Sequence, residues 1–167
     1  RTVFGVPAPR QEPDRDMQVA RTPEDIGRGR YLTIIVLRGV DCHSERDWNR
    51  YGGPPVEPVG AGRSCMTRDT EAAGVNVGQE NFPGKLCIRN ITPDVETGIG
   101  GWTDGEIIRS VREGVDHNGE GLFPIMPYFI YRGLSDADVE AVIAYVRTLA
   151  PVNRIPVPKP PTPSPAL

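Results

Sequence analysis

Residues 39–43 read Gly39-Val40-Asp41-Cys42-His43, and residues 123–128 read Phe123-Pro124-Ile125-Met126-Pro127-Tyr128. A thiol beside an imidazole pairs a nucleophile with a metal ligand, and a thioether is a second ligand of the kind iron accepts. Taken alone, Cys42-His43 reads as a buried thiol beside a surface imidazole, and Met126 as core filler. Pro124 and Pro127 bracket Met126, however, and a residue before proline is pushed into extended geometry. That suits a rigid loop presenting a sulfur. Met17 and Met66 lack such a frame and read as structural or exposed.

Outward from these two stretches, three segments carry helix start and stop chemistry. Thr22-Pro23-Glu24-Asp25 supplies an N-cap hydroxyl, a proline at the first helical position and acids in the first turn. The run through Ile26 and Tyr31 towards Val36 predicts a helix, although its β-branched end, Thr33 to Val36, also reads as a strand. Thr103 with Glu106 three residues later predicts a second helix, with Ile107, Ile108 and Val111 on one face and Gly114 as its stop. Ser135 with Asp138 opens a third, which places Val139, Val142, Ile143, Val146 and Leu149 on one stripe before Pro151. From Asn49 to Gly101 no period of 2 or 3.6 is visible. An irregular stretch of about 50 residues is far beyond the usual loop length, so a large ligand and a disulfide are the expected supports.

The 19 Gly and 18 Pro make up about 22% of the 167 residues, against about 12% in an average globular chain. Apolar residues at 38% and aromatics at 7% allow one modest core in a single domain. The longest apolar stretch, Tyr31 to Leu37, is far short of the roughly 20 residues that span a bilayer, so no membrane span is expected. Nineteen basic against 22 acidic residues leave a net charge of −3 with no long run of either sign, which gives no footprint for nucleic acid. The chain starts at Arg1 without an apolar signal segment, and is read as a processed form or as part of something longer. Residues 1–21, with Pro7, Pro9 and Pro13, read as an extended arm, 22–151 as the folded domain, and 152–167, rich in proline, as a polyproline II tail.

The order of short helix, Cys42-His43, Pro-rich loop, Asn90-Ile91-Thr92-Pro93-Asp94, Gly98-Ile99-Gly100-Gly101-Trp102-Thr103-Asp104, Phe123 to Tyr128 and closing helix resembles a class I cytochrome c domain. It is similar in particular to periplasmic single-haem cytochromes with an extended loop before the Asn-Ile-Thr-Pro segment. The resemblance covers about residues 22–151. It implies an all-α fold with a long irregular insertion and Pro-rich arms, and one haem c with Cys42 forming a thioether and His43 and Met126 as axial ligands.

The family attachment motif is Cys-x-x-Cys-His, and here Gly39 stands where its first cysteine would be. Neither Leu37 nor Arg38 supplies it, so a single thioether through Cys42 is implied. A ligating histidine donates its other ring nitrogen to a carbonyl, and the Gly53-Pro54-Pro55 turn resembles the family turn that provides one, which makes Pro54 or Pro55 the expected acceptor. Ile91, Thr92, Pro93, Ile99 and Pro127 are expected around the ring. Trp102 either donates to a haem propionate or packs under the second helix. Arg89 either meets a propionate or stays exposed, and His117 reads as a solvent-facing turn residue. Gly27 and Tyr31 resemble the position where the first helix crosses the last, facing Val142 and Tyr145.

Cys65 and Cys87 remain. Haem attachment of this type is made outside the cytoplasm in bacteria, where a remaining pair oxidises, so a Cys65–Cys87 bridge is expected. The rival is a metal site of Cys42, His43, Cys65 and Cys87, without any Cys-x-x-Cys pair to support it. The function implied is electron transfer, not catalysis, in the periplasm or otherwise outside the cytoplasm. The chain would act as a subunit or docked carrier of a larger membrane-associated redox complex, with the Pro-rich arms on a partner. Alternatives are a structural or docking subunit of a cytochrome assembly, and a haem-based small-ligand sensor in which Met126 lets go.

Overall fold

In the computed structural model, residues 18–63, 65 and 86–155 are described. Most of the expected insertion and the outer parts of both Pro-rich arms lie outside the described residues. Among the described residues five α-helices follow in order: α1 Pro23–Tyr31, α2 Gly39–Cys42, α3 Asp104–Glu113, α4 Tyr128–Tyr131 and α5 Asp136–Val146. The described residues contain no strand; isolated bridges join Arg46 with Pro55 and Val115 with Gly121, and Cys65 and Leu86 are also bridge residues. This is compatible with an all-α cytochrome fold. None of the helices is long and apolar enough to cross a membrane.

The start signals work as their chemistry requires. Thr22 accepts from the Asp25 amide, Thr103 and Glu106 form a complete capping box, and Ser135 accepts from the Asp138 amide. Gly114 ends α3 in the left-handed region. The β-branched run after α1 is not a strand: Leu32–Val36 continues the helix as a π-turn, closed by the Leu37 amide donating to the Leu32 carbonyl. The π-geometry is one way to add a residue within a helix without breaking it.

The core lies where α1 crosses α5, with α3 alongside. Val139 and Ile143 are fully buried, and Val142 and Val146 nearly so, so the apolar stripe of α5 faces inward. The crossing glycine is Gly29, a correction to the expectation of Gly27. A Cβ on Gly29 would lie 1.8 Å from the Ala141 carbonyl oxygen and 2.9 Å from the Tyr145 Cβ, whereas one on Gly27 would meet nothing within 4 Å. Two residues along a helix turn the face by about 200°. That rotation puts Gly27 in solvent and leaves Tyr31 60% exposed.

A buried ion pair ties the helices to their connections. The Arg147 guanidinium donates to the Ile99 and Trp102 carbonyls and to Asp104 Oδ1, while Asp104 Oδ2 accepts from the Val19 amide. Val19 is itself a core residue. At the other end, the Val152 amide donates to Thr92 and its carbonyl accepts from Asn90, and Arg154 pairs with Glu45 at 2.8 Å. The packed domain therefore reaches beyond 22–151 on both sides. Composition marked the arms, but the backbone hydrogen-bonding groups beside them had partners within reach.

Candidate haem site

Cys42 ends the one-turn helix α2, and its thiol is free and exposed. The lead-in is unusual: Arg38 adopts φ 55°, a left-handed conformation that non-glycine residues rarely take. Its guanidinium grips Asp41 in compensation, with Nε 2.8 Å from Oδ2. Gly39 sits against the π-turn, and a Cβ there would come 3.2 Å from Thr33 Cγ2. Burial pushes the Cys42 thiol up, as does Asp41, while Arg63, Arg38 and Arg46 work against them.

His43 is held at three points. Its amide donates to the Gly39 carbonyl at 2.9 Å, its carbonyl accepts from the Gly62 amide at 2.9 Å, and Nδ1 lies 2.7 Å from the Arg89 carbonyl oxygen. A carbonyl can only accept, so Nδ1 carries the proton and Nε2 keeps its lone pair. Burial lowers the imidazole pKa, and the bond to Arg89 opposes it. The acceptor is thus Arg89, which corrects the expectation of Pro54 or Pro55. The Pro54 carbonyl accepts from the Asp47 amide, and Arg46 donates to the carbonyls of Gly52 and Gly53. That turn is closed on itself, with Pro55 bridged to Arg46.

What brings Arg89 to His43 is a pairing between distant loops. The Ile91 amide donates to Gly60 and the Arg63 amide to Ile88. Beyond them Cys65 and Cys87 are disulfide-bonded, as expected, which removes the rival site of two thiols with Cys42 and His43. Ser44, fully buried, donates to the Val40 carbonyl and accepts from the Gly60 amide, locking the first loop to α2. The pattern of residue types pointed to the Arg89 side chain but not to its carbonyl, nor to Ser44, because a carbonyl is carried by every residue and Ser44 acts through one hydroxyl.

The Asn90–Asp94 stretch is built around Asn90. Its Oδ1 accepts from the amide and hydroxyl of Thr92, and its Nδ2 donates to Thr97 and to the Val152 carbonyl. Thr92 is fully buried, so it secures the loop from within, while Ile91 and Pro93 on either side are half-buried. The loop folds back tightly at Gly100, where a Cβ would lie 2.4 Å from the Pro93 carbonyl oxygen. Ile99 joins the core, and Trp102 packs at its edge. The Trp102 ring also lies 4.5 Å from that of His117, so His117, exposed as expected, has a neighbour.

Met126 is half-buried in the turn before α4. Its amide donates to the Phe123 carbonyl, its carbonyl accepts from the Tyr128 amide, and Pro127 caps α4. The Tyr128 ring covers Gly114, and the Tyr131 hydroxyl donates to the Leu37 carbonyl at 2.9 Å. Burial raises the Tyr131 pKa, and Cys42 adds to it. The loop carrying Met126 is therefore strung between the end of α3 and the approach to Cys42.

The donor set fits a haem: an imidazole with Nε2 available, an adjacent free thiol, and a thioether in a braced loop on a neighbouring element. No family model matches the chain. It is 44% identical over 100 residues, 58% of its length, to a nicotinate dehydrogenase subunit of Pseudomonas putida, of which it covers 8%. It is 44% identical over 70 residues to the gluconate 2-dehydrogenase cytochrome c subunit of Pantoea cypripedii, covering 41% of this chain and 16% of that one. A diheme cytochrome c-type protein of Cereibacter sphaeroides is 34% identical over 71 residues, 42% of this chain and 24% of the relative. The chain thus spans less than a quarter of each of these curated relatives. These similarities support a cytochrome c domain and, with it, electron transport by haem iron.

Proposed function

We propose that this chain is an electron-transfer domain carrying one haem c, tethered by a single thioether to Cys42 and ligated axially by His43 and Met126. The observation that carries the reading is the His43 bond to the Arg89 carbonyl, which aims a neutral imidazole through Nε2 directly beside a free cysteine. When bound, the haem supplies the Fe(III)/Fe(II) couple, and a thioether ligand favours the reduced form. Ile91, Pro93, Ile99, Trp102 and Pro127 would surround the ring, and Pro54 and Pro55 would shield its histidine side. Thr92 holds the ring-facing loop in shape. With both axial positions filled, substrate chemistry belongs to another chain or domain. The names of the relatives support a place in a larger dehydrogenase complex.

The test is the absorption spectrum of the reduced protein, with acid-acetone extraction. A low-spin six-coordinate haem that stays with the polypeptide is expected. A five-coordinate high-spin spectrum, or haem lost on extraction, would overturn the reading. A Gly39→Cys variant sharpens the single-thioether statement: with one bond and one vinyl group left conjugated, the pyridine haemochrome band of the natural chain lies to longer wavelength than that of the variant. The Cβ contact with Thr33 is close enough that this change needs only a small shift of one methyl group.

A further inference from the structure

Asp116 is a buried acid with no exposed surface. Its Oδ1 accepts from the amides of Asn118 and Glu120, at 3.0 and 2.9 Å, and its Oδ2 from the Arg89 guanidinium at 2.8 Å. Its carbonyl accepts from Arg109. Burial alone would raise its pKa, but the Glu120 amide and the Arg89 guanidinium hold it below the usual carboxylate range. Arg89 therefore faces two ways, its carbonyl towards His43 and its side chain towards a fully buried carboxylate 27 residues away.

We propose that Asp116 is a positioning residue for the iron ligand: through the Arg89 guanidinium it fixes the rotation of the Arg89 peptide, and so the carbonyl that accepts the His43 Nδ1 proton. The proposal rests on the haem reading above. The flanking pairings, Arg63 to Ile88 and Ile91 to Gly60, and the anchored Asn90 side chain hold the chain on either side. The ion pair is the hold on residue 89 itself. A strong hydrogen bond from Nδ1 makes the imidazole a better donor and stabilises Fe(III), so a loosened carbonyl raises the reduction potential.

Charge alone predicts a different pattern, which makes the proposal testable on the haem-loaded protein. Removing the negative charge in Asp116→Asn raises the potential by either route. Removing the positive charge in Arg89→Gln lowers it by electrostatics but raises it if the carbonyl is released. The expected result is a rise in both variants, with Arg89→Lys close to the natural protein because it keeps a donor to Asp116. Faster solvent exchange of the His43 Nδ1 proton in Arg89→Gln than in Arg89→Lys, read by NMR of the reduced protein, is the second expected signature. A fall in Arg89→Gln, or no change in any variant, overturns the proposal while leaving the haem reading intact. Absence of a bound low-spin haem in the natural protein overturns both. Should Asp116→Asn fail to fold, the two Arg89 variants decide the matter, since that side chain is 52% exposed.

Discussion

The helical core and the loops around His43 are held together by different forces. Where α1 meets α5, stability comes from apolar burial and from a backbone approach so close that only Gly29 fits. Around His43 the apolar contribution comes from smaller residues, Val40 and Ala61. The chain is instead stapled by side chains that bond to main chain: Ser44 to Val40 and Gly60, Asn90 to Val152, Arg46 to its own turn, and beyond them a disulfide. Packing is tolerant of small changes and intolerant of a wrong backbone spacing. Polar stapling is the reverse, since each bond is modest but an orphaned buried partner is costly.

The sharpest way to break the core is Gly29→Leu, which collides with the Ala141 carbonyl and is expected to cost more than about 5 kcal/mol, enough to prevent folding. Loss of far-UV helical signal is the readout, and a well-folded variant would show that the crossing is not as tight as described. Asn90→Ala breaks the other region. It strands the Thr92 amide and leaves the Val152 carbonyl with the longer, 3.4 Å bond from the Thr97 hydroxyl, among four lost bonds, for a cost on the order of 4 kcal/mol. The helices should survive in circular dichroism while haem retention falls.

Replacing both Cys65 and Cys87 by alanine releases a span of 22 residues and should cost about 3 kcal/mol by the chain-entropy argument, seen in denaturant unfolding. Amides near Arg89 should exchange faster, with those of α5 unaffected; equal loosening of both would deny that the two regions are separately held. Gly27→Ala is the smallest change and has the opposite sign. With open space at the Cβ, it should raise stability by about 0.5–1 kcal/mol through helix propensity, measured as a higher midpoint of thermal unfolding.

Much of this was legible in the residues. Thr22, Thr103 and Ser135 announce helix starts because a hydroxyl can satisfy an orphan amide only there. Val139, Val142, Ile143 and Val146 announce a buried face because their spacing is that of a helix. Cys42-His43 and Met126 stand out because their donor chemistry is rare. The run after α1 admits helix or strand, and the helical reading is the one that holds, as a π-turn, since β-branching weakens a helix without preventing one. Gly27 misled because i, i+4 spacing identifies a face but not which face turns inward.

Read alone, the residues specify the local events, namely caps, stops, the amphipathic stripe of α5 and a thiol next to an imidazole, because these depend on residues within a few positions of one another. It takes the folded chain to show that Gly29 makes the crossing, that the Arg89 carbonyl accepts the hydrogen bond from His43, and that Asp116 stands behind Arg89. Those relations are made by main-chain carbonyls and by residues tens of positions apart. A carbonyl is the same at every residue, so its role is assigned by where the fold puts it.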